Sequence, residues 1–194
     1  MTAGVRRQII PAIVAFLAFT VLVGLLYPLA ITGIAQVTFP SQADGSLVKQ
    51  EGKVVGSSLI GQNFSGPQYF HPRPSSAGDG YDAMSSSASN LGPSNPELLQ
   101  EVRKRIRLYR AENGLSSGAQ LPADAVTGSG SGLDPMISPE NARLQAQRVA
   151  DARGMTLDQV MALVRAKTTG RSLGFLGEPG VNVLELNLAL DEQA

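Results

Sequence analysis

No cysteine occurs in the 194 residues, and no tryptophan. The first absence excludes a disulfide framework, a thiolate zinc site and a cysteine nucleophile together. The second, with only six Phe and four Tyr, leaves no aromatic series on which bases could stack. Histidine occurs once, at His71, so neither a His-based metal set nor a two-histidine proton relay can be built. Sixteen basic residues balance sixteen acidic ones, and a chain without excess positive charge has no footprint for a phosphate backbone. Nucleic acid is therefore not an expected partner.

The most informative absence is local. Between Arg7 and Asp44 no charged side chain occurs, and the stretch from Pro11 to Val37 reads "PAIVAFLAFTVLVGLLYPLAITGIAQV". A helix needs about 20 apolar residues to cross roughly 30 Å of hydrocarbon, and this run exceeds that. No polar stripe can be drawn on it, as the core helix of a small soluble domain would have. "GIAQ" offers a small-residue cleavage pattern at Gly33 and Ala35, but the apolar part of a signal peptide is only about 7–15 residues. A retained spanning helix over residues 11–34 is expected. Arg6 and Arg7 place residues 1–10 in the cytoplasm by the positive-inside rule, with residues 35–194 outside. Lipid gives helices no hydrophobic drive to associate, so they meet through small residues. Thr20, Gly24 and Pro28 share one face and are expected to form such a packing surface. A kink at Pro28 is expected to leave the Gly24 carbonyl without its usual amide donor, a vacancy for a neighbouring helix or Thr20.

Roughly 155 residues follow the anchor, enough for one domain with a modest core. Without Arg6 and Arg7 they carry 14 basic against 16 acidic side chains. An exported domain with no cysteine is ordinary in bacteria, which points to a bacterial inner membrane. "VVGSSLIGQNF" reads as a short strand ended by Gly61. Ser65 to Asn95 is dense in Gly, Pro, Ser and Asn, yet Tyr69, Phe70, Tyr81, Met84 and Leu91 supply anchors a pure linker lacks. A long ordered loop is expected, and such loops tend to serve binding.

Three helices follow from start and stop signals. The first begins at Asn95-Pro96 and stops at Gly114; the second runs from Ser138-Pro139 to Gly154; the third opens on Thr156 and Gln159, a capping box. Arg103, Lys104, Arg105, Arg107 and Arg110 read as the solvated face of the first helix. The tail "VNVLELNLAL" alternates, with Val181 and Val183 out of phase with Leu186, Leu188 and Leu190, and reads as a strand with a bulge near Leu184. The fold class is thus α+β: one N-terminal membrane helix, then a single outer domain of about three helices and a small sheet.

No constellation assembles an active site. His71 in "FHPRP" reads as structural or exposed. "TGSGSGLD", Thr127 to Asp134, lacks the lysine of a phosphate-binding loop and reads as a glycine-permitted turn before the Ser138 helix. Asp79 and Asp82 lack calcium-loop spacing. Tyr69, Arg73 and Asn90 from the first loop, with Ser129, Ser131 and Asp134 from the Gly-Ser run, are the residues expected to meet a partner. A stand-alone membrane-anchored binding domain or enzyme, its pocket lined by Ser65 to Asn95, is the alternative.

Several blocks are particular enough to carry a resemblance: "LLYPLAITGIAQVTFP", "GSSLIGQNFSGPQYFHPRPS", "SNLGPSNPELL", "LPADAVTGSGSGLDPMISPENA" and "LGEPGVNVLELNLALD". They resemble the C subunit of the bacterial Kdp potassium-transporting P-type ATPase and cover most of the chain. Gly128, Met136, Gly180, Ser87 and Ala88 depart from that family's pattern, which touches loop detail only. The resemblance implies a non-catalytic accessory subunit of an ATP-driven potassium importer. Its implied partners are an ion-conducting A subunit, an ATP-hydrolysing B subunit and a small F subunit, beside membrane lipid. The family's C subunit is described as raising the ATP affinity of B. A domain outside the membrane cannot touch cytoplasmic ATP, so any such effect is expected to pass through the complex. No cofactor is expected on this chain itself; ATP and potassium are used by the complex.

Overall fold

The computed structural model describes residues 2–193, and for residues 2, 3 and 6 the backbone alone. The Arg6 side chain, one of the two charges expected to hold the N-terminus inside, lies outside the described residues. Two compact units divide the chain, Met1–Leu47 and Val48–Ala194.

The first unit is helical: α1 (Thr2–Phe19), a π-helical segment (Thr20–Leu26), α2 (Tyr27–Thr38) and a single turn, α3 (Pro40–Ala43). Arg7–Thr38 gives 32 residues of helix long and apolar enough to cross a membrane, a span of about 48 Å at 1.5 Å per residue. Its large side chains, Phe16 and Leu29 among them, stand exposed, as they must if their solvent is lipid. The widened turn has a local cause. Proline has no N–H and its ring crowds the preceding turn, and just before Pro28 the Tyr27 amide reaches back five residues to the Leu22 carbonyl. A π turn absorbs that crowding without breaking the helix. The Thr20 hydroxyl donates to the Phe16 carbonyl at 2.8 Å. It therefore does not serve the Gly24 carbonyl.

The second unit opens on a hairpin, β1 (Leu47–Gln50) and β2 (Lys53–Ser57). Its two-residue turn holds Glu51 and Gly52 at φ 50° and 78°, the left-handed pair that matches strand twist. The strand expected in "VVGSSLIGQNF" ends here at Ser57 rather than Gly61. Three helices stand where their signals lie: α4 (Pro96–Glu112), α5 (Pro139–Arg153) and α6 (Leu157–Ala166). Asn95 accepts from the Glu97 amide, Ser138 from the Asn141 amide, and Thr156 and Gln159 close their box. Gly154 ends α5 at φ 65°, a conformation that costs glycine little. Between α4 and α5 lie a 3-10 turn (Ala123–Ala125) and β3 (Met136–Ile137); β4 (Thr168–Thr169) follows α6. The central strand is β5 (Gly180–Asn182), antiparallel to both neighbours, with Ile137 opposite Val181 on one side and Thr168 opposite Val181 on the other.

The expected strand from Val181 to Leu190 is corrected. It ends at Asn182, and Val183–Asp191 is a fourth long helix, α7, of the second unit. No bulge at Leu184 is needed. Asn182 caps α7 by accepting from the Glu185 amide at 3.1 Å. The buried positions Val183, Leu186, Asn187 and Leu190 follow helical spacing. Their number includes a fully buried asparagine, which is what made the leucines read as an alternation.

The core joins α5, α6, α7 and β5. Ala142, Ala146, Val149 and Ala150 of α5 meet Val160 and Val164 of α6, with Val181, Val183, Leu186 and Leu190 beneath. Small residues along α5 let α6 approach closely. Phe70, from the long loop, is completely buried in this core.

Candidate functional site

A loop cannot enter a core unless its backbone amides and carbonyls find partners. Two buried side-chain amides supply them here. Asn187 of α7 accepts from the Phe70 amide at 2.8 Å and donates to the Phe70 carbonyl at 2.9 Å. Gln145 of α5 does the same for His71, at 2.7 and 3.0 Å. Each amide takes the place of a neighbouring strand. Around them, Arg148 donates to the carbonyls of Pro67 and Tyr69, and Arg153 to that of Gln68. The loop is thereby bolted to α5 and α7 through residues 67–71.

His71 continues the clamp toward α4. One ring nitrogen lies 2.8 Å from the Glu112 carboxylate and the other 2.8 Å from the Gly66 carbonyl. The hydrogen bond from His71 holds the Glu112 carboxyl below its ordinary pKa, against the opposing effect of burial, with Arg148 adding to the depression. Tyr109 donates to the Asn141 side chain at 2.7 Å. Burial, then the charge of Asp124, pushes its phenol well above the usual range. His71, Arg73, Tyr81, Arg105, Tyr109 and Glu112 line an open cleft of about 340 Å³. Asp124 ties its own turn to α5 by accepting from the Ser138 amide and hydroxyl and from Asn141.

Four of the six expected contact residues come together at the Gly-Ser run. Arg73 pairs with Asp134 at 2.8 Å and donates to the Gly128 carbonyl at 3.1 Å. Tyr81 donates to the Arg73 carbonyl; burial first, then Asp134, raises its pKa. Ser131 accepts through its carbonyl from the Ser87 amide and the Ser86 hydroxyl, and its own hydroxyl lies 3.4 Å from that of Ser129. Gly132 is required by geometry: at φ 68°, an added Cβ would lie 2.5 Å from the Ser87 carbonyl oxygen. The run is thus a buttress for the long loop.

The other two expected residues lie apart from that cluster. Tyr69 stacks at a tilt on Phe64 and sits under the Arg153 guanidinium, whose other nitrogen pairs with Asp191 at 2.7 Å. Asn90 is exposed at φ 53°. Thr20, Gly24 and Pro28 lie on the apolar helix of the first unit, where a Cβ added at Gly24 would meet only the Thr20 methyl group, at 3.8 Å. Among the described residues no group of three or more His, Asp or Glu side chains is placed to hold a metal ion.

Sequence reasoning missed the pairing of Gln145 and Asn187 with the loop and the contact of His71 with Glu112. Asn182 with Glu185 three residues on is a capping signal that would have revealed α7, and with it the inward face of Asn187.

Residues 9–192 match the family profile described as K+-transporting ATPase, c chain. The potassium-transporting ATPase KdpC subunit of Mycobacterium tuberculosis is 58% identical over 186 residues, 96% of this chain and 98% of that one. The subunit of the same name from Rhodospirillum rubrum is 57% identical over 187 residues, 96% of each chain. That of Beijerinckia indica is 57% identical over 185 residues, 95% of this chain and 93% of that one.

Proposed function

Because the chain belongs to the KdpC family, the c chain of potassium-transporting ATPases, we propose that it is the non-catalytic, single-pass accessory subunit of such a complex. In this reading it assembles with and stabilises an ion-conducting A subunit, an ATP-hydrolysing B subunit and a small F subunit. The observation that carries the reading is a family match spanning both units, residues 9–192, at more than half identity to named subunits. Membership alone makes the chain one subunit of an ATPase complex. Lack of turnover in this chain, and the roles of the partners, are the proposed steps.

Physical chemistry supports the assignment of roles. The apolar helix needs a membrane, and the outer unit spends its buried polar groups on holding its own loops. Residues 1–10 sit in the cytoplasm and the second unit outside, at the inner membrane of a bacterium. An effect on ATP affinity would then travel through the complex and require no nucleotide on this chain.

Affinity capture of the tagged chain from its native membrane tests the reading. Large multi-span partners and potassium-stimulated ATPase activity should co-purify, and the chain purified alone should show no turnover. A solitary chain carrying a bound small molecule, or ATP hydrolysis by the chain alone, would overturn it.

A further inference from the structure

None of the 17 residues of α4 is buried. Leu98, Val102 and Ile106 reach only half-buried positions, so the helix depends on polar ties to the rest of the second unit. Tyr109 donates to Asn141 at 2.7 Å and Arg110 to the Ala119 carbonyl at 2.7 Å. Arg105 donates to the Val126 carbonyl at 3.5 Å, and Asn113 at the helix end accepts from Arg148 at 3.0 Å. One more tie crosses the cleft between its two walls, α4 with Arg105 and Tyr109, and the long loop with Pro72 and Arg73. It is the contact of Glu112 with His71.

Hydrogen bonding fixes the proton count of that tie. The Gly66 carbonyl can only accept, so the ring nitrogen 2.8 Å from it carries a hydrogen. The other ring nitrogen lies 2.8 Å from a Glu112 oxygen, and an ionised carboxylate also only accepts. A neutral imidazole has one N–H and one bare nitrogen. Held between two acceptors, it would turn a lone pair toward one of them. Both contacts are hydrogen bonds only with one further proton, on the ring or on the carboxyl. The lowered pKa of Glu112 puts that proton on the ring, as an imidazolium.

The neighbours do not undo this. Arg148 of α5 also donates to the Gly66 carbonyl, at 3.4 Å, and its charge opposes a second cation. The Glu112 carboxylate, in direct contact with the ring, offsets it. Tyr109 and Tyr81 stay neutral, their phenols pushed up by burial first. Arg73 and Arg105 line the same cleft, and arginine does not lose its charge; Arg73 is met by Asp134. Asp124, beside Tyr109, is spent on Ser138 and Asn141. Histidine is the side chain whose charge ordinarily changes between about pH 5 and 8. Among the ties of α4, only the His71 contact answers to pH there.

We propose that His71 and Glu112 form a proton-held latch between the end of α4 and the long loop, and that alkaline pH, by removing the ring proton, releases α4 and widens the cleft. The loop stays in place, because Gln145, Asn187, Arg148 and Arg153 grip its backbone through groups that keep their protons. The helix is the part that moves. The latch belongs to the second unit by itself, whichever side of the membrane that unit occupies.

His71 is the only histidine in the chain, so its ring can be read by itself. The full-length chain, carrying isotope-labelled histidine and no histidine tag, is followed by nitrogen NMR in nanodiscs. Both ring nitrogens should carry hydrogen at about pH 7, and a bare-nitrogen resonance should emerge only as pH rises beyond the ordinary histidine range. The absence of cysteine allows a second readout, a pair of spin labels at Arg107→Cys on α4 and Arg143→Cys on α5, both exposed positions. Their distance distribution should widen over the same rise in pH. Glu112→Gln should abolish that widening, because an amide can accept from the charged ring and donate to the neutral one. A bare ring nitrogen at about pH 7 would overturn the latch. So would a label distance that stays fixed after the proton leaves, or an unchanged pH response in Glu112→Gln.

Discussion

Asn187 and Gln145 do the work of a strand with two side chains. Each satisfies the amide and carbonyl of one loop residue, Phe70 or His71, the first fully buried and the second partly so. Leaving a buried backbone group unpaired costs about 1–3 kcal/mol. Asn187→Leu keeps the volume but strands both groups of Phe70, so a loss of about 3 kcal/mol is expected. For a unit of this size that is roughly a 10 °C fall in the unfolding midpoint, read by thermal melting in detergent. An unchanged midpoint would mean that the loop is not held this way. Glu112 gives a second prediction at this scale. Its pKa is depressed in the folded chain, first by the His71 hydrogen bond. A depressed carboxyl stabilises at pH values above its unfolded pKa, and the gain is lost as pH falls through the folded pKa. Glu112→Gln should therefore melt below wild type at pH 7, and the gap should close on acidification below about pH 4.3. A gap that stays constant to pH 3 would remove Glu112 from the acid response.

Elements whose borders are set by local chemistry were legible in the sequence. Asn95-Pro96, Ser138-Pro139 and Thr156 with Gln159 mark helix starts that the structure realises within a residue. What failed was α7, because its buried face includes Asn187, a polar residue whose partner lies 117 positions away in the chain. No local pattern reports such a partner. The Arg73–Asp134 pairing was half legible: both residues were singled out, but as contacts for another molecule rather than for each other. In the first unit the apolar run was plain, whereas the π-helical turn before Pro28, with the Tyr27 amide on the Leu22 carbonyl, was not. That turn bears on an element-scale prediction. A Cβ at Gly24 would make only an ordinary contact with the Thr20 methyl group, at 3.8 Å, so Gly24→Leu adds bulk without disturbing the chain's own fold. If the Thr20, Gly24 and Pro28 face packs against a companion helix, this variant should insert normally yet lose most complex recovery and slow potassium-limited growth. Wild-type recovery and growth would reduce the helix to a tether.

At the scale of the whole molecule, everything depends on which side of the membrane the second unit occupies. Arg7 and its neighbour Arg6 stand alone at the N-terminal end of an uncharged stretch that reaches to Asp44. If positive charge on the short flank is retained in the cytoplasm, a single crossing by Arg7–Thr38 delivers residues beyond Thr38 to the outside. Residues 35–194 carry 14 basic and 16 acidic side chains. Protease added to intact spheroplasts should thus remove the second unit and leave a membrane-protected fragment of about 50 residues, the helix with its flanks up to the first lysines beyond it, Lys49 and Lys53. The hairpin turn at Glu51–Gly52, exposed and beside a lysine on β2, is the expected first site of trypsin entry. Lysed cells should show the same cut, because the site is open in either case. Full protection in intact spheroplasts, with cleavage only after lysis, would reverse the orientation. The outer unit would then face cytoplasmic ATP, and the indirect route proposed for any effect on nucleotide affinity would have to be replaced by contact.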